Sequence, residues 1–163
     1  MNKASTHTIS IMAENRSGSL SRIAGLFSSR GYNISTLSVA PTEDPSVSRM
    51  TIVVSGDESI LEQIVKQLNK LIDVIKVMDF EDEPIIEREL LLVRVDATKS
   101  NRHEIVETAN LFGAGVAAVA PGSVTLELIG TTQKIDDFMV MLKPYGIKET
   151  VRSGAVAMAK SKK

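Results

Sequence analysis

"HTISIMAENRSGSLSRIAGLFSSRGYNI", residues 7–34, changes its hydrophobic period twice. Ile9, Ile11 and Ala13 alternate with Thr8, Ser10 and Met12, as in a strand whose two faces differ. From Ser19 to Arg30 the period lengthens, so that Leu20, Ile23, Ala24 and Phe27 share one helical face while Ser21, Arg22, Ser28 and Ser29 fall elsewhere. Gly31 can take the left-handed backbone that ends a helix, and the strand period resumes in "NISTLSVAP". The short polar loop "NRSG", residues 15–18, is left at the head of a helix, where it is either a cap or something more.

The pattern continues outward. "SRMTIVVSG" is a further strand, joined to the one before by "TEDPS", whose Pro45 cannot donate to a ladder. Asp57 is placed to cap a second helix with Ile60, Leu61, Ile64, Leu68 and Leu71 on one face, and "DVIKVMDF" closes the unit as a strand. After "FEDEP" the same order returns. "ELLLVRVDA" is a strand; Asn101 and Glu104 have capping-box spacing ahead of a helix that turns Ile105, Ala109 and Phe112 inward and ends at Gly113. "GVAAVA" and "VTLELIG" flank the turn signal "PG". "TQKIDDFMVMLK" carries Ile135, Phe138, Met139 and Leu142 on one side and stops at Pro144, before the closing strand "IKETVRSGAVAM".

The expected architecture is therefore α+β, two tandem ferredoxin-like βαββαβ domains with antiparallel sheets and two helices on one face of each. The expected boundaries are residues 1–79 for the first domain, 80–84 for an acidic, solvated linker, and 85–163 for the second. Val39, Met50, Ile52 and Val54 suggest a first sheet too apolar to face water on both sides, which predicts pairing with a neighbouring chain.

Composition limits what the chain can do. Its 163 residues, 43% hydrophobic and 24% charged, are enough for one domain or two small ones. Nineteen basic against twenty acidic residues give a formal net charge of -1, so no overall positive field gathers phosphates or anionic lipid. No nucleic-acid or membrane partner is expected. The absence of cysteine removes disulfides, thiolate metal sites and cysteine nucleophiles. "MNKASTHTIS" has no apolar run behind its lysine, and no stretch reaches membrane-spanning length, so a cytoplasmic location is expected.

Catalysis has little support. His7 and His103 fall in different repeats, each read as a strand or helix-surface residue, and no nucleophile, base and orienter converge. No P-loop or dinucleotide fingerprint is present, and no catalytic or metal-binding residue is assigned. The first loop has its own chemistry. A helix start presents unpaired N–H groups and the positive end of the dipole to an anion such as a carboxylate. Gly18 allows close approach to the backbone, Asn15 offers both a donor and an acceptor, and Leu20 and Ile34 supply apolar lining. A small aliphatic amino acid suits such a site. On local chemistry alone the plain cap is favoured, and the two readings stay open.

In its βαββαβ frame the stretch resembles an ACT domain, a module by which metabolic proteins sense amino acids. "GLFSSRGYNISTLSVAPTEDPSVSRMTIVVSGDE" narrows the likeness to the small regulatory subunit of acetohydroxyacid synthase, also called acetolactate synthase; "APTEDPSVSRMTI" is its most specific part. "ERELLLVRV" and "VRSGAV" fit the family's C-terminal domain. The resemblance implies regulation without chemistry of its own. It implies a catalytic large subunit as partner, holding thiamine diphosphate, FAD and magnesium, with none of these in this chain. It also implies activation of that subunit and feedback inhibition, typically by valine, in branched-chain amino acid biosynthesis. On matching positions, Asn15, Gly18 and Leu20 would come from one protomer and Asn33 and Ile34 from the facing one, across an ACT homodimer. "ATKSNRHE" fills the corresponding place in the second repeat, which receives no valine site. The "PTEDPS" hairpin and Arg49 are read as an exposed docking surface for the catalytic chain. The alternatives are a stand-alone amino-acid sensor acting on another partner, an RNA-binding βαββαβ module, disfavoured by strand centres that are aliphatic rather than aromatic, and an enzyme.

Overall fold

The computed structural model describes residues 5–56, 58–80 and 84–160, and these divide into two compact units: the described residues up to 86 together with 155–160, and 87–154. The first unit runs β1 (Ser5–Glu14), α1 (Ser19–Ser29), β2 (Ile34–Pro41), β3 (Val47–Gly56), α2 (Glu58–Leu68) and β4 (Val74–Asp79). Its sheet has the order β2-β3-β1-β4, antiparallel throughout. Register sets which face is apolar: Ile9 opposes Ile52 and Ile11 opposes Met50. Opposed residues of antiparallel strands share a face, and these pack with Ile23 and Phe27 of α1 and Leu61, Ile64 and Leu68 of α2. Met50, Ile52 and Val54 therefore lie in the helix-covered core, which corrects the expectation that they form an apolar face awaiting another chain. The opposite face carries Thr8, Ser10 and Met12 beside Val53, Thr51 and Arg49. Val39 alone of that set is exposed, on the edge strand β2.

The helix stops follow the expected physics. Gly31 has φ 71°, its N–H donates to Ser28 O and that of Tyr32 to Phe27 O, the paired bonds of a Schellman motif. Gly113, with φ 67°, repeats them on Asn110 O and, through Ala114 N–H, on Ala109 O.

The second unit is built on β5 (Ile85–Asp96), α3 (Arg102–Leu111), β6 (Gly115–Ala120), β7 (Ser123–Gly130), α4 (Thr132–Leu142) and β8 (Ile147–Arg152), with a 3-10 turn at Lys143–Tyr145. Its strands lie in the order β6-β7-β5-β8. Leu91, Val93 and Val95 of β5 and Val124, Leu126 and Leu128 of β7 pack with Ile105, Ile135, Phe138 and Leu142.

Three local expectations change. Asn101 does not cap α3; its Oδ1 accepts from Thr98 N–H at 2.7 Å, and no side chain caps that helix. The final strand is two strands, because Gly154 turns the chain at φ 75° and releases β9 (Val156–Ala159), which pairs with β5. The chain from Ala155 onward groups with the first compact unit. Asp57, the expected cap of α2, and Glu81, Asp82 and Glu83 of the expected linker lie outside the described residues; Phe80 is buried, and its N–H donates to Thr8 O. Among the described residues no helix is long and apolar enough to cross a membrane.

Candidate functional site

The loop that opens the chain's first helix is held from three directions. Where β1 ends, Asn15 N–H donates to Ser46 O at 2.7 Å and its side-chain Nδ2 donates to Pro45 O at 2.8 Å, so the loop is tied to the β2–β3 hairpin. Donating through Nδ2 leaves Asn15 Oδ1, on an exposed residue, as an acceptor. Gly18 then takes φ 87° and ψ −12° at the N-cap position, and no side chain caps α1. That left-handed conformation costs a side-chain-bearing residue about 1–2 kcal/mol, so glycine is required on backbone grounds as well as for close approach. Ser19, at the first helical position, is 2% exposed, and its Oγ has no hydrogen-bond partner.

The third restraint was not foreseen from the sequence. Asp73, in the turn between α2 and β4, has a side chain only 1% exposed and lies between two arginines. Arg16 Nε donates to its Oδ1 at 2.8 Å with Nη2 on the same oxygen, and Arg22 Nε donates to Oδ2. Hydrogen bonds from Arg22 first, then Arg16, hold this carboxyl below the ordinary aspartate range against the opposing effect of burial. Arg16 also meets Glu14 at 2.9 Å. Through Arg22 the cluster reaches the glycine: a Cβ built on Gly18 would lie 3.0 Å from Arg22 Nη1. The one signal in the sequence that could have drawn attention to Asp73 is a lone acid between Leu71–Ile72 and Val74–Ile75. Its two partners have no motif spacing and are adjacent only once the sheet forms.

The anticipated residues do not all converge within one chain. Leu20 is 42% exposed beside the loop, off the helix's buried face. Ile34 is half-buried against the first core and opposes Val54, whereas Glu14, which precedes the loop, opposes Val47. The two positions are thus separated by the length of β3 from Val47 to Val54, about 23 Å at roughly 3.3 Å per residue. Asn33 is exposed at the far end with Ile34.

The corresponding loop of the second repeat has its polar groups engaged with one another. Asn101 Oδ1 accepts from Thr98 N–H, the hydroxyls of Thr98 and Ser100 are 2.8 Å apart, and Arg102 donates to the carbonyls of Ala120 and Pro121. His7 lies 3.3 Å from Gly56 O, and His103 is exposed on α3 beside Glu107. Among the described residues no group of three histidine, cysteine, aspartate or glutamate side chains could hold a metal ion.

Comparison with known proteins covers both repeats. Residues 9–76 match the family model described as AHAS small subunit-like ACT domain, and residues 88–161 match that of the small subunit of acetolactate synthase. The chain is 46% identical over 159 residues to the acetolactate synthase small subunit of Mycolicibacterium smegmatis, covering 98% of this chain and 94% of that one. It is 45% identical over 156 residues to the isozyme 3 small subunit of Salmonella typhimurium, covering 95% and 96%. The crystal structure of the acetolactate synthase small subunit from Thermotoga maritima superposes with a TM-score of 0.88 at 32% identity, covering 97% of this chain and 99% of that one.

Proposed function

We propose, from the premise that the chain belongs to the acetolactate synthase small-subunit family, that it activates a catalytic large subunit and makes it subject to feedback inhibition by valine. The near-complete length match to small subunits carries this reading. The chain has a regulatory role and an ACT fold; valine as effector, cytoplasmic residence, and a partner that holds thiamine diphosphate, FAD and magnesium are the finer proposals. Residues 1–79 are proposed as the amino-acid-binding domain, 80–84 as linker and 85–163 as the family's second domain, of which the segment from Ala155 groups with the first compact unit. The stand-alone sensor is the weaker reading, because family likeness extends over the second domain too.

The effector site is assigned to Asn15, Gly18 and Leu20 of one protomer with Asn33 and Ile34 of its partner in an ACT homodimer. The uncapped helix start supports a carboxylate at Gly18, and Asn15 Oδ1 remains to accept from the ammonium. The separation of Asn33 and Ile34 from the loop within one chain supports sharing across two chains, and β2, as an edge strand, offers the surface along which they would pair. Valine then inhibits only to the extent that it binds one arrangement of the dimer better than another.

Calorimetric titration of the purified chain with valine, leucine and isoleucine is the direct test. Saturable valine binding, weakened about tenfold in Asn15→Ala by loss of a charge-assisted hydrogen bond, is the expected result. No binding of any of the three would remove the effector reading, while co-purification with a thiamine-dependent large subunit tests the partner separately.

A further inference from the structure

Arg49 is expected from sequence to project into solvent, but it does not. It is half-buried on the face of the first sheet turned away from the helices, its Nε is buried with no hydrogen-bond partner, and its Nη2 reaches only the Met12 thioether, at 3.7 Å. Among the described residues it forms no ion pair. A guanidinium N–H cut off from water with no acceptor is costly, and native structures seldom leave one so.

Ser10 Oγ and Thr36 Oγ1 are likewise buried without partners. Register places all three on one face, since Ser10 opposes Thr51, Met12 opposes Arg49, and Thr36 opposes Val53. β9 lies over this face, with Ala157 N–H donating to Thr51 Oγ1 at 3.4 Å. Between them is a cavity of about 410 Å³ lined by Met12, Ser38, Arg49, Thr51 and Val156, with Glu43 also contributing. Its lining residues all belong to the first compact unit. The volume is within the range of small-molecule sites. The lining combines the cation of Arg49, the carboxylate of Glu43, hydroxyls and an aliphatic wall.

We propose that this cavity is a second ligand site, separate from the first loop, for a small aliphatic carboxylate whose carboxyl group pairs with Arg49 and whose chain packs on Met12 and Val156. The carboxylate supplies the anion that Arg49 lacks and accepts from Ser38 or Thr51. Glu43 divides the possible sources: an amino acid places its ammonium there, and a 2-oxo acid does not. Occupancy would bias where the C-terminal strand rests, because β9 forms one wall.

The test is a titration of the methyl-labelled full-length chain with valine, with its 2-oxo acid, and with isobutylamine. The methyls of Met12, Val156 and Ala157 report this cavity, and those of Leu20 and Ile34 report the first loop. Either carboxylate should shift the first set while the amine does not. Arg49→Gln should weaken that binding about tenfold or more, Arg49→Lys should retain part of it, and Val156→Phe, which fills the space without touching the charge, should block it. Glu43→Gln should weaken valine if the amino acid is the ligand, and leave the 2-oxo acid unimpaired if that is. Any of three results would overturn the proposal: shifts confined to Leu20 and Ile34, affinity unchanged in a folded Arg49→Gln chain, or an Arg49→Gln effect seen only on co-purification with the large subunit, which would give the site to a side chain of that partner.

Discussion

The two repeats share an architecture, yet they open their first helices differently. In the first, the chain enters α1 through a left-handed glycine with no side-chain cap, and the loop is held from outside by Asp73 on Arg16 and Arg22. In the second, Thr98, Ser100 and Asn101 bond to one another and close the loop on itself. The second repeat also buries a carboxylate under an arginine, but elsewhere: Arg152 grips Glu89 through two bonds, at 2.6 and 2.8 Å, and reaches Asp136 of α4. One fold thus uses the same device to tether a loop in one copy and to brace a helix against a sheet in the other. Neither helix start has a side-chain cap, so what separates them is the loop: a glycine with no Cβ and an exposed Asn15 at the first, polar side chains already bonded to one another at the second.

That contrast can be broken most sharply at Gly18. Gly18→Asp should raise the inhibitory valine concentration roughly a hundredfold or more, because two carboxylates would meet at one helix start, while activation of the large subunit persists. Full valine sensitivity in an activating Gly18→Asp chain would end the assignment. The variant carries backbone strain of about 1–2 kcal/mol from the positive φ, and retained activation separates that strain from loss of the site.

Asp73→Asn probes the external restraint. The folded carboxyl sits below its unfolded value because Arg22 and Arg16 bond to its charged form. Its contribution is therefore complete above the unfolded aspartate value of about 3.9 and disappears as pH falls through the lower, folded one. The melting temperature of Asp73→Asn should be below that of the parent at pH 7, and the gap should narrow as pH falls below about 4. Valine affinity should drop with it at neutral pH, since Arg22 would no longer be held beside Gly18. An equal gap at every pH would mean that Asp73 is not the charged anchor.

The smallest effects belong to the second repeat. Thr131 caps α4 by accepting from Lys134 N–H, and Asn101 accepts from Thr98 N–H. Thr131→Ala and Asn101→Ala should each cost about 1 kcal/mol in denaturant unfolding and leave the valine response untouched. A valine response altered by Asn101→Ala would make the two loops functionally alike.

The strand and helix order was legible because periods of two and 3.6 depend only on neighbouring residues. Gly31 and Gly113 were legible as stops for the same reason. Which face of the first sheet is covered was not: Met50, Ile52 and Val54 are apolar in either case, and only register against Ile11, Ile9 and His7 shows them under the helices. The break at Gly154 was hidden because "TVRSGAVAM" reads continuously as strand until the glycine takes its positive φ. In the candidate site, Asn15 and Gly18 stood out by residue type beside a helix start. Arg16, Arg22 and Asp73 did not, because their relation spans 51 and 57 positions of sequence.

By itself the sequence determined two βαββαβ units, the glycine-gated loop and a resemblance to a regulatory family, since each resides in local pattern or local chemistry. Tertiary structure alone decided that Asp73 anchors that loop, that Arg49 turns inward to a cavity under β9, and that Ile34 lies a sheet's length from Gly18. The physical reason is common to all three. Charge pairing, burial and distance are properties of residues brought together by strand register, and register is satisfied by the whole sheet rather than by any one segment.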